Sequence, residues 1–120
     1  MPDTDTALDA LVGEWLTLPD VAERMGTDVI AVRQLLRDGD LLALRRGERN
    51  VLSVPAAFLS GSTLVKGLTG TLTVLGDSGF SPVETVRWLF TDDDLPGPPI
   101  AALVENRGTE VRRRAQALAF

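Results

Sequence analysis

Ile30, Arg33, Gln34 and Arg37 recur at i, i+3, i+4 and i+7, which on a helix places them in one stripe. Their side chains suit one kind of chemistry. A guanidinium grips a guanine edge or a phosphate with two parallel donors, and a Gln amide does the same for adenine. Ile30 offers methyls to a thymine methyl. A few residues on, Arg45, Arg46 and Arg49 surround Gly47-Glu48. At a hairpin tip they would lie on a phosphate backbone or in a minor groove. Thr27 and the amides of the helix start that follows it suit a phosphate.

These groups hold a polyanion rather than turn over a substrate. The 120 residues include no Cys, no His and no Tyr. That excludes disulfides, thiolate nucleophiles, Cys-based zinc sites and every His-based triad. Composition therefore points to a binding protein, not an enzyme, with no cofactor and no metal. Asp92-Asp93-Asp94 lacks the spacing and glycine of a calcium loop. Gly61–Gly67 contains Lys66 but not the residue order of a phosphate-binding loop.

The net charge of −5 runs against a uniformly basic DNA-binding domain. Its distribution matters more. Residues 1–20 contain five acids and no Lys or Arg, whereas residues 21–60 contain six Arg and five acids. Fields are local over a Debye length of about 8–10 Å, so a basic face survives on an acidic chain. The longest uncharged stretch, Asn50–Val65, is broken by Pro55 and Gly61. A membrane span is not expected, and the acidic start does not resemble a signal peptide. The expected location is the cytoplasm, in association with the nucleoid.

The stripe needs elements to position it. Thr17-Leu18-Pro19-Asp20 starts a helix, with Thr17 or Leu18 at the cap, and Gly26 ends it. Thr27-Asp28 starts a second helix, from about Val29 to Arg37, which stops at Asp38-Gly39. Its other face, Val29, Val32 and Leu36 with Leu35 nearby, packs on the first helix. Leu41–Arg46 and Val51–Pro55 flank the Gly47-Glu48 turn as a hairpin. Pro55–Leu59 gives one helical turn, and Ser60–Gly67 a small-residue connector.

Beyond the connector the pattern is helical. Thr69 caps Gly70–Asp77, and Ser81-Pro82-Val83-Glu84 is a capping box. That second helix carries Val86, Leu89 and Phe90. After the acidic Pro/Gly loop, helices follow at Ile100–Glu105 and Thr109–Leu118, the last with Val111, Ala115 and Leu118 as its buried stripe.

The expected fold is mainly α with a small β-hairpin. Residues 1–14 are read as a flexible acidic tail in which Ala7–Val12 could make a short helical turn, 15–60 as a winged helix-turn-helix, and 61–120 as a helical C-terminal bundle packed on it. A polar helix stripe alone is an ordinary solvated face, and Arg at a hairpin tip an ordinary solubilising device. The two together point to double-stranded DNA, with the second helix in the major groove.

Residues 18–58 resemble the winged helices of the excisionase and mercury-type regulators. There a Leu-x-x-Val-Ala helix precedes a recognition helix ending in Arg-Asp-Gly and an Arg-bearing wing. Over nearly its whole length the chain resembles an actinobacterial family of short winged-helix DNA-binding proteins with a private helical C-terminal domain. The most specific strings are Arg87-Trp88-Leu89-Phe90-Thr91 and Val111-Arg112-Arg113, with Ala115-Gln116-Ala117 after it. The chain departs from that family at Ile30 and Leu35, apolar where the family is polar, which leaves the base preference open.

The family resemblance implies DNA binding in transcription regulation or nucleoid association. It also implies phosphorylation of the N-terminal tail by a bacterial Ser/Thr kinase, at Thr4 or Thr6. Residues 79–111 are similar to the C-terminal domain of certain toxin-binding antitoxins. That implies an alternative in which the C-terminal helices bind a protein partner, with Trp88 as anchor if it is exposed.

Overall fold

The computed structural model describes residues 6–91 and 97–118. Helix α1 spans Thr6–Val12, strand β1 Trp15–Thr17, helix α2 Leu18–Met25 and helix α3 Val29–Arg37. Strands β2 (Leu44–Arg46) and β3 (Val51–Pro55) follow, then a 3-10 turn at Ala56–Phe58. Strands β4 (Leu59–Ser60) and β5 (Thr63–Leu64) lead into α4 (Leu68–Asp77), α5 (Pro82–Phe90), α6 (Pro99–Val104) and α7 (Gly108–Ala117).

Local chemistry fixes the helix-turn-helix. Thr17 Oγ1 accepts the Asp20 N–H at 3.4 Å, with Pro19 in the first turn, so Thr17 is the cap. Gly26 closes α2 at φ +68°, a left-handed conformation that a Cβ opposes, and its N–H bonds the carbonyls of Ala22 and Glu23. Asp28 then caps α3, its Oδ1 accepting the Ala31 N–H at 2.8 Å. Val21 and Val32 are fully buried where α2 and α3 cross.

The wing is a three-stranded antiparallel sheet in the order β1-β3-β2. The expected hairpin is its β2–β3 half, shortened: its first strand begins at Leu44, and Leu41 and Ala43 before it are buried outside the sheet. Trp15–Thr17 supplies the other edge, in register with Pro55–Ser53.

The expected tail over residues 1–14 is corrected where the structure describes it. Residues 6–12 form α1, and Leu8 is only 1% exposed. Leu8, Leu11 and Val12 lie at helical spacing, and burying Leu8 against the domain outweighs the acidic composition. Ser60–Gly67 is more than a connector, since β4 and β5 pair across Gly61.

In the C-terminal half α4 begins two residues before the expected point. Gly67 at φ +88° is its cap, and Thr69 instead donates its hydroxyl to the Asp40 carbonyl at 3.0 Å. That bond ties α4 to the chain just beyond α3. One glycine of α4 has a packing role: the Arg112 guanidinium of α7 lies 2.5 Å from where a Cβ on Gly70 would stand. The capping box on α5 is complete, with Ser81 Oγ accepting the Glu84 N–H and Glu84 Oε1 accepting the Ser81 N–H. The Glu84 carboxyl is held below its ordinary range by that backbone hydrogen bond and by the Ser81 side chain.

Val111 and Ala115 are buried as expected, but Leu118 is 40% exposed because α7 ends at Ala117. Trp88 is half-buried against the core rather than displayed as an anchor.

One apolar cluster joins the two halves. Leu8, Val32, Leu44, Phe58, Leu68, Val86, Leu103 and Val111 belong to it. Phe58, at the end of the winged helix, meets Phe90 of α5 with ring centroids 6.1 Å apart.

Candidate nucleic-acid interface

The face in question is built by α3 and the wing. Arg33, Gln34 and Arg37 are all exposed on α3, while Val32 of the same helix is fully buried. Amphipathic spacing therefore separates a core stripe from a polar one, as a recognition helix requires. Between α3 and the wing runs an open groove of about 370 Å³. Arg33 lines it from the helix and Arg45 from β2, over a floor that includes Leu18, Val29 and Leu52. Two guanidinium groups from separate elements thus border one concave surface. Arg33 has no hydrogen-bond or ion-pair partner among the described residues.

Arg45 and Arg46 are adjacent in sequence but do different things. Side chains alternate across a strand, so neighbours on β2 point to opposite faces. Arg45 turns to the α3 groove, where its Nη1 donates to the Asn50 carbonyl at 3.1 Å. Arg46 turns back on the protein. It donates to both carboxylate oxygens of Asp9 on α1, at 2.7 and 3.0 Å, and lies 5.2 Å from the centroid of the Trp15 ring. The hydrogen bonds from Arg46, reinforced by its charge, hold the Asp9 carboxyl below the ordinary Asp range. Arg46 was expected among the DNA-contacting residues. In the structure this guanidinium is engaged by Asp9 and lies over Trp15, so a contact with DNA would have to exchange those bonds.

Gln34 and Arg37 are preorganised. The Gln34 amide donates to Asp38 Oδ1 at 2.8 Å and accepts from an Arg37 guanidinium nitrogen at 2.8 Å. All three groups are exposed, so DNA would exchange these bonds rather than break a buried network. Arg49 is exposed in the turn between β2 and β3, where Gly47 at φ +77° and Asn50 at φ +51° bend the chain. Thr27 offers an exposed hydroxyl, but its backbone N–H bonds the Ala22 carbonyl at 2.9 Å, and Asp28 takes an α3 amide. The helix-start amides are therefore less available to a phosphate than the sequence suggested. Thr6 is the exposed first residue of α1, whereas Thr4 and Asp92-Asp93-Asp94 lie outside the described residues.

Three positioning residues escaped the sequence reading: Asp9, Trp15 and Asp38. Gln34 and Asp38 stand at i and i+4, a spacing at which side chains meet, so that signal was present. The Asp9–Arg46 pair spans 37 residues of sequence and left no local signal.

Among the described residues no helix is long and apolar enough to cross a membrane. Comparison with known proteins gives concordant results for both halves. Residues 1–59 match the family model described as DNA-binding protein Rv2175c, winged helix-turn-helix domain. Residues 65–119 match the Rv2175c C-terminal domain of unknown function. The DNA-binding protein Rv2175c of Mycobacterium tuberculosis is 40% identical over 117 residues, covering 86% of this chain and 79% of that protein. The NMR structure of Rv2175c superposes with a TM-score of 0.82 at 36% identity, covering all of this chain and 90% of that one. The chain thus belongs to the Rv2175c family of actinobacterial proteins, in which a winged helix-turn-helix is followed by a distinct helical C-terminal domain.

Proposed function

We propose that this protein binds double-stranded DNA, with α3 in the major groove and the β2–β3 turn on the neighbouring backbone. The observation that carries the reading is the pairing of Arg33 and Arg45 across one open groove, continuous in sequence with the exposed Gln34 and Arg37. The name of its relative, a DNA-binding protein, points the same way. Arg33, Gln34 and Arg37 face base edges or phosphates, and Arg45 and Arg49 face the backbone. Thr27 adds a hydroxyl to a phosphate at the edge of the contact. Arg46 braces the wing on α1. Transcription regulation or nucleoid organisation is the cellular role that such binding serves.

If about four cations neutralise phosphates, log Kobs falls with log salt at a slope of about −3 to −4. The test is fluorescence anisotropy of a labelled duplex across a salt series, for the parent and for Arg33→Ala, Arg37→Ala. The double variant should bind at least about tenfold more weakly, since each good base contact contributes about 1–3 kcal/mol. Equal affinity for parent and variant at every salt concentration contradicts the docking.

The same reading makes the N-terminal segment a brake under Ser/Thr kinase control. Thr6 opens α1, whose Asp9 already holds Arg46. A phosphate on Thr6 or Thr4 adds about −1.5 to −2 charges to the N-terminal segment. It would repel the duplex or compete for the arginines. Thr4→Glu, Thr6→Glu should weaken binding a few-fold at low salt, fading as salt rises. An unchanged affinity rules the brake out.

A further inference from the structure

We infer that Ile30 reads the 5-methyl group of thymine in the major groove, an inference that rests on the DNA-binding reading and gives it a base preference. Ile30 is 74% exposed, more than any other exposed large hydrophobic among the described residues. It has no part in the core cluster that Val29, Val32, Leu35 and Leu36 of the same helix join or flank. Nor does it line the groove between α3 and the wing, where Val29 and Arg33 stand. It sits on the outer surface of α3, second residue from the start. The N-terminal residues of a recognition helix are those that reach base edges.

The surroundings say what would cover it. Arg33 and Arg37 follow at i+3 and i+7, so the surface that meets this stripe is polyanionic. The apolar feature a polyanionic duplex displays in its major groove is the thymine methyl; the other edge groups are hydrogen-bond donors and acceptors. A β-branched side chain has essentially one χ1 rotamer on a helix, so Ile30 loses little freedom on contact. Burying one methyl changes affinity about fourfold.

The experiment compares a short A·T-rich duplex with the same duplex carrying deoxyuridine for every thymidine. The two differ only in the methyl groups. Intact protein should bind the thymine duplex about fourfold more tightly for each methyl contacted. Ile30→Ala should bind both alike while keeping the parent's unfolding midpoint, because the side chain is not in the core. Equal affinity of the parent for both duplexes overturns the inference and is the result expected if Ile30 serves a protein surface instead. A thymine preference retained in full by Ile30→Ala also overturns it, assigning the preference to duplex shape. Arg33→Ala, Arg37→Ala on both duplexes separates the two levels. If those arginines matter and the methyl does not, only the Ile30 inference fails; if neither matters, the docking fails as well.

Discussion

Replacing Leu8 by Ala tests whether the acidic N-terminal segment is part of the folded unit. Leu8 is 1% exposed and is the buried residue of α1. Truncating a buried Leu costs about 2–5 kcal/mol, from lost transfer energy and the cavity left behind. The lower part of that range applies here. A helix of 7 residues cannot lose more than its docking is worth before it simply detaches, which relieves the cavity. A cost of about 2–3 kcal/mol follows. Unfolding entropy of about 2.1 cal/mol/K per residue gives about 0.25 kcal/mol/K for this chain, so the midpoint should fall by about 8–12 °C. Circular dichroism melts of parent and variant read this directly, with urea unfolding to check that the m-value holds. A midpoint within about 2 °C of the parent's would mean that Leu8 is not packed and that the segment is the solvated tail its composition suggests.

Asp9→Asn should cost up to about 1 kcal/mol at neutral pH, the upper range for a partly exposed bidentate pair. Because the folded-state pKa of Asp9 is lowered, its contribution is present above the unfolded value of 3.8 and is lost as pH falls through the folded value. The gap between parent and variant in urea midpoints should therefore close below about pH 4. Gly76→Ala should stabilise by about 0.5–1 kcal/mol, since the position is helical and a Cβ there meets nothing within 4 Å. Gly26→Ala should destabilise by about 1 kcal/mol although its Cβ also meets nothing, because φ is +68°. Thermal melts of the pair check both signs. Because one core joins the halves, intact protein should melt in a single transition with coincident fluorescence and circular dichroism curves; two separated transitions would contradict the shared core.

How legible these features were in the sequence depended on how local their causes are. The helix start at Thr17-Leu18, the Gly26 turn, the Asp28 start and the Ser81 box each lie within four residues of what they satisfy, and all were readable, with the cap left between Thr17 and Leu18. So was the exposed stripe on α3, because helical periodicity sorts it from Val32. What escaped is non-local. Trp15–Thr17 is a strand only because the edge of β3 is open to it, and three residues carry no period of their own. Thr69 looked like a cap, but its hydroxyl has a better partner in the Asp40 carbonyl, reached only after the chain has folded. The roles of Arg45 and Arg46 turned on strand register, which the sequence leaves open by one residue, and one residue exchanges the faces. The Leu8, Leu11 and Val12 spacing gives one helical turn, and the docking of that turn through Leu8 depends on a surface formed by distant residues.

The central claim is that α3 and the wing form the DNA-binding face. Amide chemical-shift mapping of the intact protein, titrated with a short duplex at low salt, tests it most directly. The account predicts the largest shifts at residues 27–37 and 45–51, with α5, α6 and α7 nearly unmoved. Shifts concentrated on α4 to α7, or no shifts at duplex concentrations well above those of the protein, would contradict it.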